Sequence, residues 1–233
     1  MDDLTHQELT DCNQCIFQAI SCQYISPAEF QQLKNFSRRH HFKKGENILV
    51  QGGKSDHLVF LQYGIVKLCM ANEVGKELIL TISRAPSMIG GANAFNKGMN
   101  LYSVYAVEDC DVCFIDYPML MEIAMKNSLF LLKLMEMITG MFKSSILNFI
   151  HMAHKQVNGR IAEILLYLSQ SVYQRSSFTL SLNRKEISQF AGCSTENVIH
   201  TLSKFHREGI IGLKGKSIVI LDMERLATIS KVG

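Results

Sequence analysis

The stretch that decides the fold is 183–221, which reads NRKEISQFAGCSTENVIHTLSKFHREGIIGLKGKSIVIL. Asn183 followed three residues later by Glu186 is a helix-start signature, because the two side chains can cap each other's backbone N–H groups. Gly192 predicts the end of that helix, and Ser194 can cap a second helix that runs to about residue 208. Two short helices joined by a tight turn predict a helix-turn-helix.

The residues that follow predict a wing. Two β runs, 210–213 and 217–221, flank Lys214-Gly215-Lys216, which is typical of a hairpin with a glycine turn. The hairpin carries two cations at its tip, and Asp222 can cap a final short helix. The C-terminal part is therefore predicted to be a winged helix-turn-helix.

Charge and motif together favour double-stranded DNA as the partner. Up to Ala153 the chain has 13 Lys+Arg against 15 Asp+Glu, and after it 11 against 6. The second helix of such a motif enters the major groove, where Glu accepts from cytosine and Asn pairs with adenine. The candidates for base contacts are Thr195, Glu196, Asn197 and His200. The candidates for phosphate contacts, which give affinity without sequence information, are Arg184, Lys204, Arg207, Lys214 and Lys216.

Short β runs with glycine punctuation fill the segment 42–117. They recur about every ten residues, a spacing typical of a β-barrel or roll. From Ser128 the pattern becomes helical, with apolar residues alternating four and three apart, and predicts a helix over 128–157. This heptad pattern, called here the predicted dimer seam, favours pairing with a second copy of the chain, and packing on the chain's own β-roll is the alternative. It consists of Leu131, Met135, Ile138, Phe142, Ser145, Phe149 and Met152.

The predicted fold is α+β with three parts. Residues 1–125 form an N-terminal sensory β-roll of the cupin-like or cyclic-nucleotide-binding-like kind, with flanking helices. Residues 126–157 form the long dimerisation helix, and 158–233 the winged helix-turn-helix.

Several function classes are excluded by the sequence. No stretch has the 18 or more uninterrupted apolar residues typical of a membrane span, and no signal or transit peptide is visible, so we expect a cytoplasmic protein without a membrane partner. No Gly-x-Ser-x-Gly, His-Glu-x-x-His or Walker A motif occurs, so we expect no enzyme. Seven cysteines are an odd count for a disulfide scaffold and indicate reduced thiols, metal ligands or redox sensing.

In the order and spacing of these motifs the chain resembles the Crp/Fnr superfamily of bacterial transcription regulators over nearly its whole length. The motifs are Lys44-Gly45-Glu46 to Gly52, Gly64-Ile65-Val66-Lys67, Pro86-Ser87-Met88-Ile89-Gly90, Asn183-Arg184-Lys185-Glu186-Ile187, Glu196-Asn197-Val198-Ile199-His200 and Gly215-Lys216-Ser217-Ile218. The resemblance implies a homodimer that binds a palindromic promoter site and contacts RNA polymerase.

The same resemblance bears on the effector. Members that bind cyclic AMP carry Gly-Glu at the start of a phosphate-binding loop and an Arg near its end, which hold the ribose hydroxyl and the cyclic phosphate. Here the pair is Gly90-Gly91, and no arginine occurs between Arg84 and Arg160. Cyclic AMP is therefore not expected, while a different small ligand in the roll remains open.

The cysteine pattern is similar to the oxygen-sensing Fnr branch, which holds a 4Fe-4S cluster. The candidate ligands for such a cluster, sensing oxygen or nitric oxide, are Cys12, Cys15, Cys22 and Cys113. Zinc at two C-x2-C pairs that include Cys110, a redox disulfide between Cys12 and Cys15, and inert thiols are the alternatives. A further alternative is a regulatory ligand-binding subunit whose winged helix binds protein instead of DNA.

Overall fold

The computed structural model describes residues 15–91 and 98–233. Their N-terminal part is a β-roll of two four-stranded antiparallel sheets, with strand orders β1-β8-β3-β6 and β2-β7-β4-β5. The strands are β1 Ser37–Phe42, β2 Asn47–Leu49, β3 His57–Tyr63, β4 Ile65–Ala71, β5 Glu77–Arg84, β6 Ser87–Gly90, β7 Ser103–Ala106 and β8 Cys110–Asp116. The predicted roll is confirmed.

The interior of the roll is formed by the inward side chains of both sheets. Val59 and Leu61 on β3 face Val66 and Leu68 on β4, and Val112 on β8 completes the layer; all five are buried. Side chains on a strand alternate between its two faces, so one face of β3 fills this core while the other packs against helices.

One strand in the roll had no visible sequence signal. β1 reads SRRHHF and pairs with β8 from Ser37↔Ile115 to Phe42↔Cys110. It lies at the edge of its sheet and mostly faces solvent, so nothing in its composition needs to be apolar. Its strand conformation follows from pairing with β8.

Helices cover the outer face of the sheet that contains β3 and β8. They are α1 Ile16–Ser21, α2 Pro27–Asn35, α3 Tyr117–Lys126 and α4 Ser128–His154. α4 has 27 residues, about 40 Å at 1.5 Å per residue, and ends at His154 instead of near 157. No helix among the described residues is long and apolar enough to cross a membrane.

The C-terminal part is the predicted winged helix-turn-helix. It contains α5 Val157–Tyr167, a π-helical turn Leu168–Val172, β9 Ser177–Thr179, α6 Arg184–Ala191, α7 Thr195–Arg207, β10 Ile211–Lys214, β11 Ser217–Ile220 and α8 Met223–Val232. The three strands form one antiparallel sheet in the order β10-β11-β9.

The roll and the winged helix share one hydrophobic core. Ile65, Ile79 and Ile82 of the roll lie in the same buried cluster as Leu165 and Phe190 of the C-terminal part. Polar contacts add to this junction. Lys67 Nζ is 2.7 Å from Glu186 Oε1, both side chains being mostly buried, and the Tyr167 hydroxyl donates to the carbonyl of Ile82.

Candidate nucleic-acid interface

The turn between α6 and α7 is set by local capping. The Asn183 side chain accepts from Glu186 N at 2.9 Å, and Glu186 Oε2 accepts from Asn183 N at 2.7 Å, so the capping box predicted from the sequence is confirmed. Gly192 ends α6 in the left-handed region with φ 59°, and Ser194 Oγ accepts from Asn197 N at 3.2 Å to begin α7. These contacts fix where the second helix starts.

Arg160 on α5 supports this turn, and the sequence analysis missed it. Its Nη1 atom donates to the carbonyls of Ala191 and Gly192, each at 3.0 Å. These are carbonyls that the end of α6 leaves without a helical partner, and a cation near a helix C-terminus is favourable. A distant arginine bound to a turn has no local sequence signal.

α7 has one buried and one open face. Val198, Thr201, Leu202 and Phe205 are buried against the rest of the domain. Residues three and four apart share a helix face, so the spacing of these four residues turns the remaining positions toward solvent. The open face is free to contact a ligand along the full length of the helix.

Three of the four predicted base-contact residues lie on that open face. Glu196, Asn197 and His200 are exposed. The pKa of Glu196 is lowered by hydrogen bonding to the backbone at the helix start and to Ser194, so its carboxylate is an acceptor at neutral pH. Thr195 is partly buried, with its Oγ1 3.3 Å from Ser188 Oγ, and therefore belongs more to the turn than to the open face.

Ile199 also lies on the open face and was not among the predicted contacts. Its side chain is 51% exposed, and with Glu196 and Ser203 it follows the i, i+3, i+7 spacing of a single face. An apolar side chain at such a position can contact a thymine methyl group. The helical periodicity of α7 was the signal that could have found it.

The predicted phosphate contacts are spread over three elements. Lys214 and Lys216 are exposed at the tip of the β10–β11 hairpin, where Gly215 has φ 59°. Arg184 Nη2 donates to the carbonyl of Gly215 at 2.9 Å and so ties the start of α6 to this tip, and burial lowers the pKa of Arg184. On α7, Lys204 is partly buried and Arg207 exposed.

The predicted dimer seam is partly wrong. Ile138 is 6% exposed and packs with Phe130 and Leu134 into the chain's own core beneath the roll, and Leu131 is partly buried against the same core. The heptad pattern predicted that this face of α4 contacts a second chain, but the chain's own roll covers the part with Leu131 and Ile138. The side chains of Ser145 and Met152 lie outside the described part of the chain.

α4 nevertheless presents a long apolar surface to solvent. The exposed residues of one stripe, called here the α4 apolar face, are Leu132, Met135, Phe142, Ile146, Phe149 and Ile150. Leu129 and Leu147 are also exposed and lie roughly 100° further around the helix. At 100° per residue this stripe is rotated from the predicted seam by roughly 60°, away from the roll. Met135, Phe142 and Phe149 belong to both sets.

The cysteines are distributed over different surroundings. Cys15 Sγ accepts from Gln62 Nε2 at 3.2 Å and packs against the core that contains buried Cys113, whereas Cys22 is exposed at the other end of α1. Cys12 lies outside the described residues. In the described ranges no group of three His, Cys, Asp or Glu side chains is placed to hold a metal ion.

Cys110 and Cys113 do not form a pair. Cys110 lies in the core inside the roll, and Cys113 in the core beneath the helices, on the opposite face of β8. The structure therefore does not bring together the second of the two C-x2-C pairs on which the zinc alternative rests. Burial raises the pKa of Cys110, and that of Cys69 in the core shared with the winged helix, to about 12, so both stay protonated thiols.

Gly91 is confined by its surroundings. Its φ is 103°, and a Cβ atom there would lie 2.7 Å from Leu58 Cα and 3.0 Å from the carbonyl oxygen of His57. Neither distance leaves room for a side chain, and only glycine adopts such a backbone readily. A glutamate at this position is incompatible with the backbone of the roll.

The fold and this interface define a class of protein: a helix-turn-helix transcription regulator with a cyclic-nucleotide-binding-like domain. Two family models match, a cyclic nucleotide-binding domain over residues 39–127 and a Crp-like helix-turn-helix domain over 159–229. The chain belongs to the Crp/Fnr superfamily.

Named relatives agree with this assignment. The chain is 27% identical over 185 residues to the cAMP-activated global transcriptional regulator CRP of Salmonella typhimurium, covering 78% of this chain and 88% of that protein. It is 27% identical over 209 residues to the CRP-like cAMP-activated global transcriptional regulator of Mycobacterium tuberculosis, covering 88% and 93%.

Solved structures share the fold. FixK2 from Bradyrhizobium japonicum superposes with a TM-score of 0.76 at 20% identity, covering 84% of this chain and 98% of that one. A CooA mutant from Carboxydothermus hydrogenoformans gives a TM-score of 0.71 at 19% identity, covering 95% and 98%.

Proposed function

We propose that this regulator acts as a homodimer on a palindromic DNA site, with α7 in the major groove and the β10–β11 wing on the backbone. The observation that carries the proposal is the open polar face of α7 beside the exposed cations of the wing. Base edges are read by Glu196, Asn197 and His200, and Lys214 and Lys216 contact phosphate.

The α4 apolar face supports the homodimer. It leaves Phe142, Ile146 and Phe149 exposed on one helix, and a contiguous exposed apolar patch typically marks an interaction surface. A second copy offers the same stripe, so two α4 helices can bury it in a closed twofold interface. Two copies of α7 would then face half-sites about one DNA turn, 34–36 Å, apart.

Contact with RNA polymerase and a cytoplasmic location are the further expectations from the family. The relatives named above are global transcriptional regulators of bacteria, in which the DNA lies in the cytoplasm.

The experiment that tests DNA binding selects duplexes from a random library with the full-length protein and measures their affinity by fluorescence anisotropy. We expect an inverted repeat, with a steep fall in affinity as salt rises. Enrichment of single half-sites would contradict the homodimer, and salt-independent binding or no enrichment would contradict DNA as the partner and favour a winged helix that binds protein.

For the signal, we propose an effector other than cyclic AMP, although relatives are named as cAMP-activated. The support is the crowded position of Gly91, where cyclic-AMP-binding members carry glutamate. Titration calorimetry with cyclic AMP should give no heat of binding, and saturable binding would contradict this.

A thiol-based signal is the second candidate, favoured by the packing of Cys15 and Cys113 against one core. A 4Fe-4S cluster would also need Cys12 and Cys22, and Cys22 lies two helical turns from Cys15, about 10 Å along α1. Bound to four thiolates, a cluster would supply an oxygen-labile link between the N-terminal segment and the roll. Anaerobic purification with iron and sulfide analysis tests for the cluster. Bound iron and sulfide would support it, and a colourless protein would favour thiol oxidation or a small ligand as the signal.

A further inference from the structure

A cavity of about 520 Å³ lies between the roll and the winged helix and contains no residue of α7. The roll contributes Arg84 and Glu108 to its wall, and the C-terminal part contributes Tyr173, Arg175 and Phe178. Cavities of this volume fall within the range of small-molecule sites in proteins. Both structural units therefore meet around a space large enough for a metabolite.

Two guanidinium groups meet in the wall of this cavity. Arg84 Nη1 donates to the carbonyl of Val172 at 3.1 Å and to that of Tyr173 at 3.4 Å. Arg175 Nε donates to the same carbonyl of Tyr173 at 3.3 Å. Because both groups donate to one oxygen atom, two positive charges lie side by side, an arrangement that is unfavourable without an anion nearby.

Neither arginine has a carboxylate partner among the described residues. The cavity's own carboxylate, Glu108, accepts a hydrogen bond from Ser181 Oγ through Oε1 and forms no ion pair with Arg84 or Arg175. One negative charge thus faces two positive ones. Within 15–91 and 98–233 the remaining guanidinium nitrogens of both arginines donate no hydrogen bond, and both side chains are exposed, so they can bind a ligand in the cavity.

We propose that this cavity binds a small metabolite that carries a phosphate or carboxylate group. A guanidinium presents N–H donors in a planar fork that matches both oxyanions, and two such forks fit a group with several oxygens. Beside them, the rings of Tyr173 and Phe178 stack at a centroid distance of 4.8 Å and offer apolar surface for the rest of the ligand.

The position of the site gives it a regulatory consequence, which rests on the proposed DNA binding. Arg84 is the last residue of β5 in the roll, and Arg175 follows the π-helical turn that ends α5. A ligand held by both would connect the roll to the DNA-binding part. The site itself does not depend on that function.

The test is isothermal titration calorimetry of the full-length protein with inorganic pyrophosphate, and separately with succinate, at an ionic strength held constant with sodium chloride. We expect saturable binding of at least one in the millimolar range or tighter. Arg175→Gln should weaken it by about tenfold or more, since hydrogen bonds to charged groups contribute this much. The Arg175 side chain donates to Tyr173, two residues away in its own loop, so this change leaves the junction between roll and winged helix intact.

Two control variants locate the binding. Arg38→Gln removes an exposed positive charge on β1 and should not change the affinity, and Lys214→Gln distinguishes anion binding in the cavity from anion binding at the phosphate-contacting wing. Arg84→Lys keeps the positive charge but loses the planar pair of N–H donors, so it should also weaken binding. Melting curves recorded without anion verify that this variant is folded. Absence of saturable binding, its loss in Lys214→Gln, or its persistence in both Arg175→Gln and Arg84→Lys would overturn the proposal.

Discussion

α4 and α7 are both amphipathic helices, but they present opposite chemistry to solvent. α7 buries Val198, Leu202 and Phe205, the last at 1% exposure, and leaves polar residues outside except for Ile199. α4 buries Phe130, Leu134 and Ile138 near its start, and leaves Ile146 57% and Phe149 66% exposed further along. The apolar side of α7 is completed within one chain, and that of α4 is not.

The difference indicates what each helix contacts. A polar open face on a helix capped by its own chain can bind a charged, hydrated partner such as DNA. A contiguous apolar open face typically marks an interaction surface, and a second copy of the same helix is the partner of matching chemistry. The following changes test this contrast, from the largest expected effect to the smallest.

The largest effect is expected from Ile146→Asp. A carboxylate in the middle of the α4 apolar face would have to be buried without a partner in a dimer, so we expect monomers in analytical ultracentrifugation. DNA affinity should fall by roughly 10²- to 10⁴-fold, because the two half-sites are no longer bound together. Gly140→Asp is the control. Gly140 lies about 120° around α4 from Ile146, and a Cβ atom at Gly140 would meet no atom within 4 Å. If both variants remain dimers, the α4 apolar face is not the dimer interface, and the proposed difference between α4 and α7 is contradicted.

Phe205→Ala tests the closed side of α7. We expect the free energy of unfolding to fall by about 3–5 kcal/mol in urea denaturation, because a fully buried ring leaves a cavity. The matched change Phe149→Ala, made in the Ile146→Asp monomer, should cost less than about 1 kcal/mol, because that ring is already exposed. Equal losses would mean that α4 is closed within one chain.

Lys214→Gln combined with Lys216→Gln tests the wing. We expect weaker binding to all duplexes alike and a decrease of about 4 in the magnitude of the slope of log affinity against log salt, since two phosphate contacts are lost from each subunit of the dimer. Lys34→Gln with Arg38→Gln removes the same charge from α2 and β1 and should leave the slope unchanged. An unchanged slope in the wing variant would show that the wing does not contact phosphate.

The smallest effect is expected from Glu196→Ala on the open face of α7. The preference at one position of each half-site should relax by about 1–3 kcal/mol, measured as the affinity ratio between matched and mismatched duplexes. Glu224→Ala in the first turn of α8 removes the same kind of helix-start carboxylate away from DNA and should preserve the preference. Unaltered preference in Glu196→Ala would place this side chain outside the groove.

The winged helix-turn-helix was predictable because its signals are local. Asn183 and Glu186 cap each other within four residues, Gly192 supplies a left-handed backbone, and Ser194 begins α7. Each of these acts through bonds to neighbouring backbone atoms, so a short sequence window contains both partners. The base-contact candidates followed directly from the start of α7.

The seam and the thiols were less predictable because their surroundings come from distant parts of the chain. A heptad pattern shows that α4 is amphipathic on one side, but not which part of that side the roll covers, so Ile138 was assigned to a partner. Cys110 and Cys113 look like one metal-binding pair in the sequence, and the two faces of β8 send them into separate cores.

The sequence by itself determined the order of roll, long helix and winged helix, and the caps that begin and end α6 and α7, because hydrophobic period and capping act over a few residues. Only the tertiary structure decided which face of α4 stays open, why Gly91 has no room for a side chain, and that Arg84 meets Arg175 beside one carbonyl. Each of these depends on residues far apart in the chain that packing brings together.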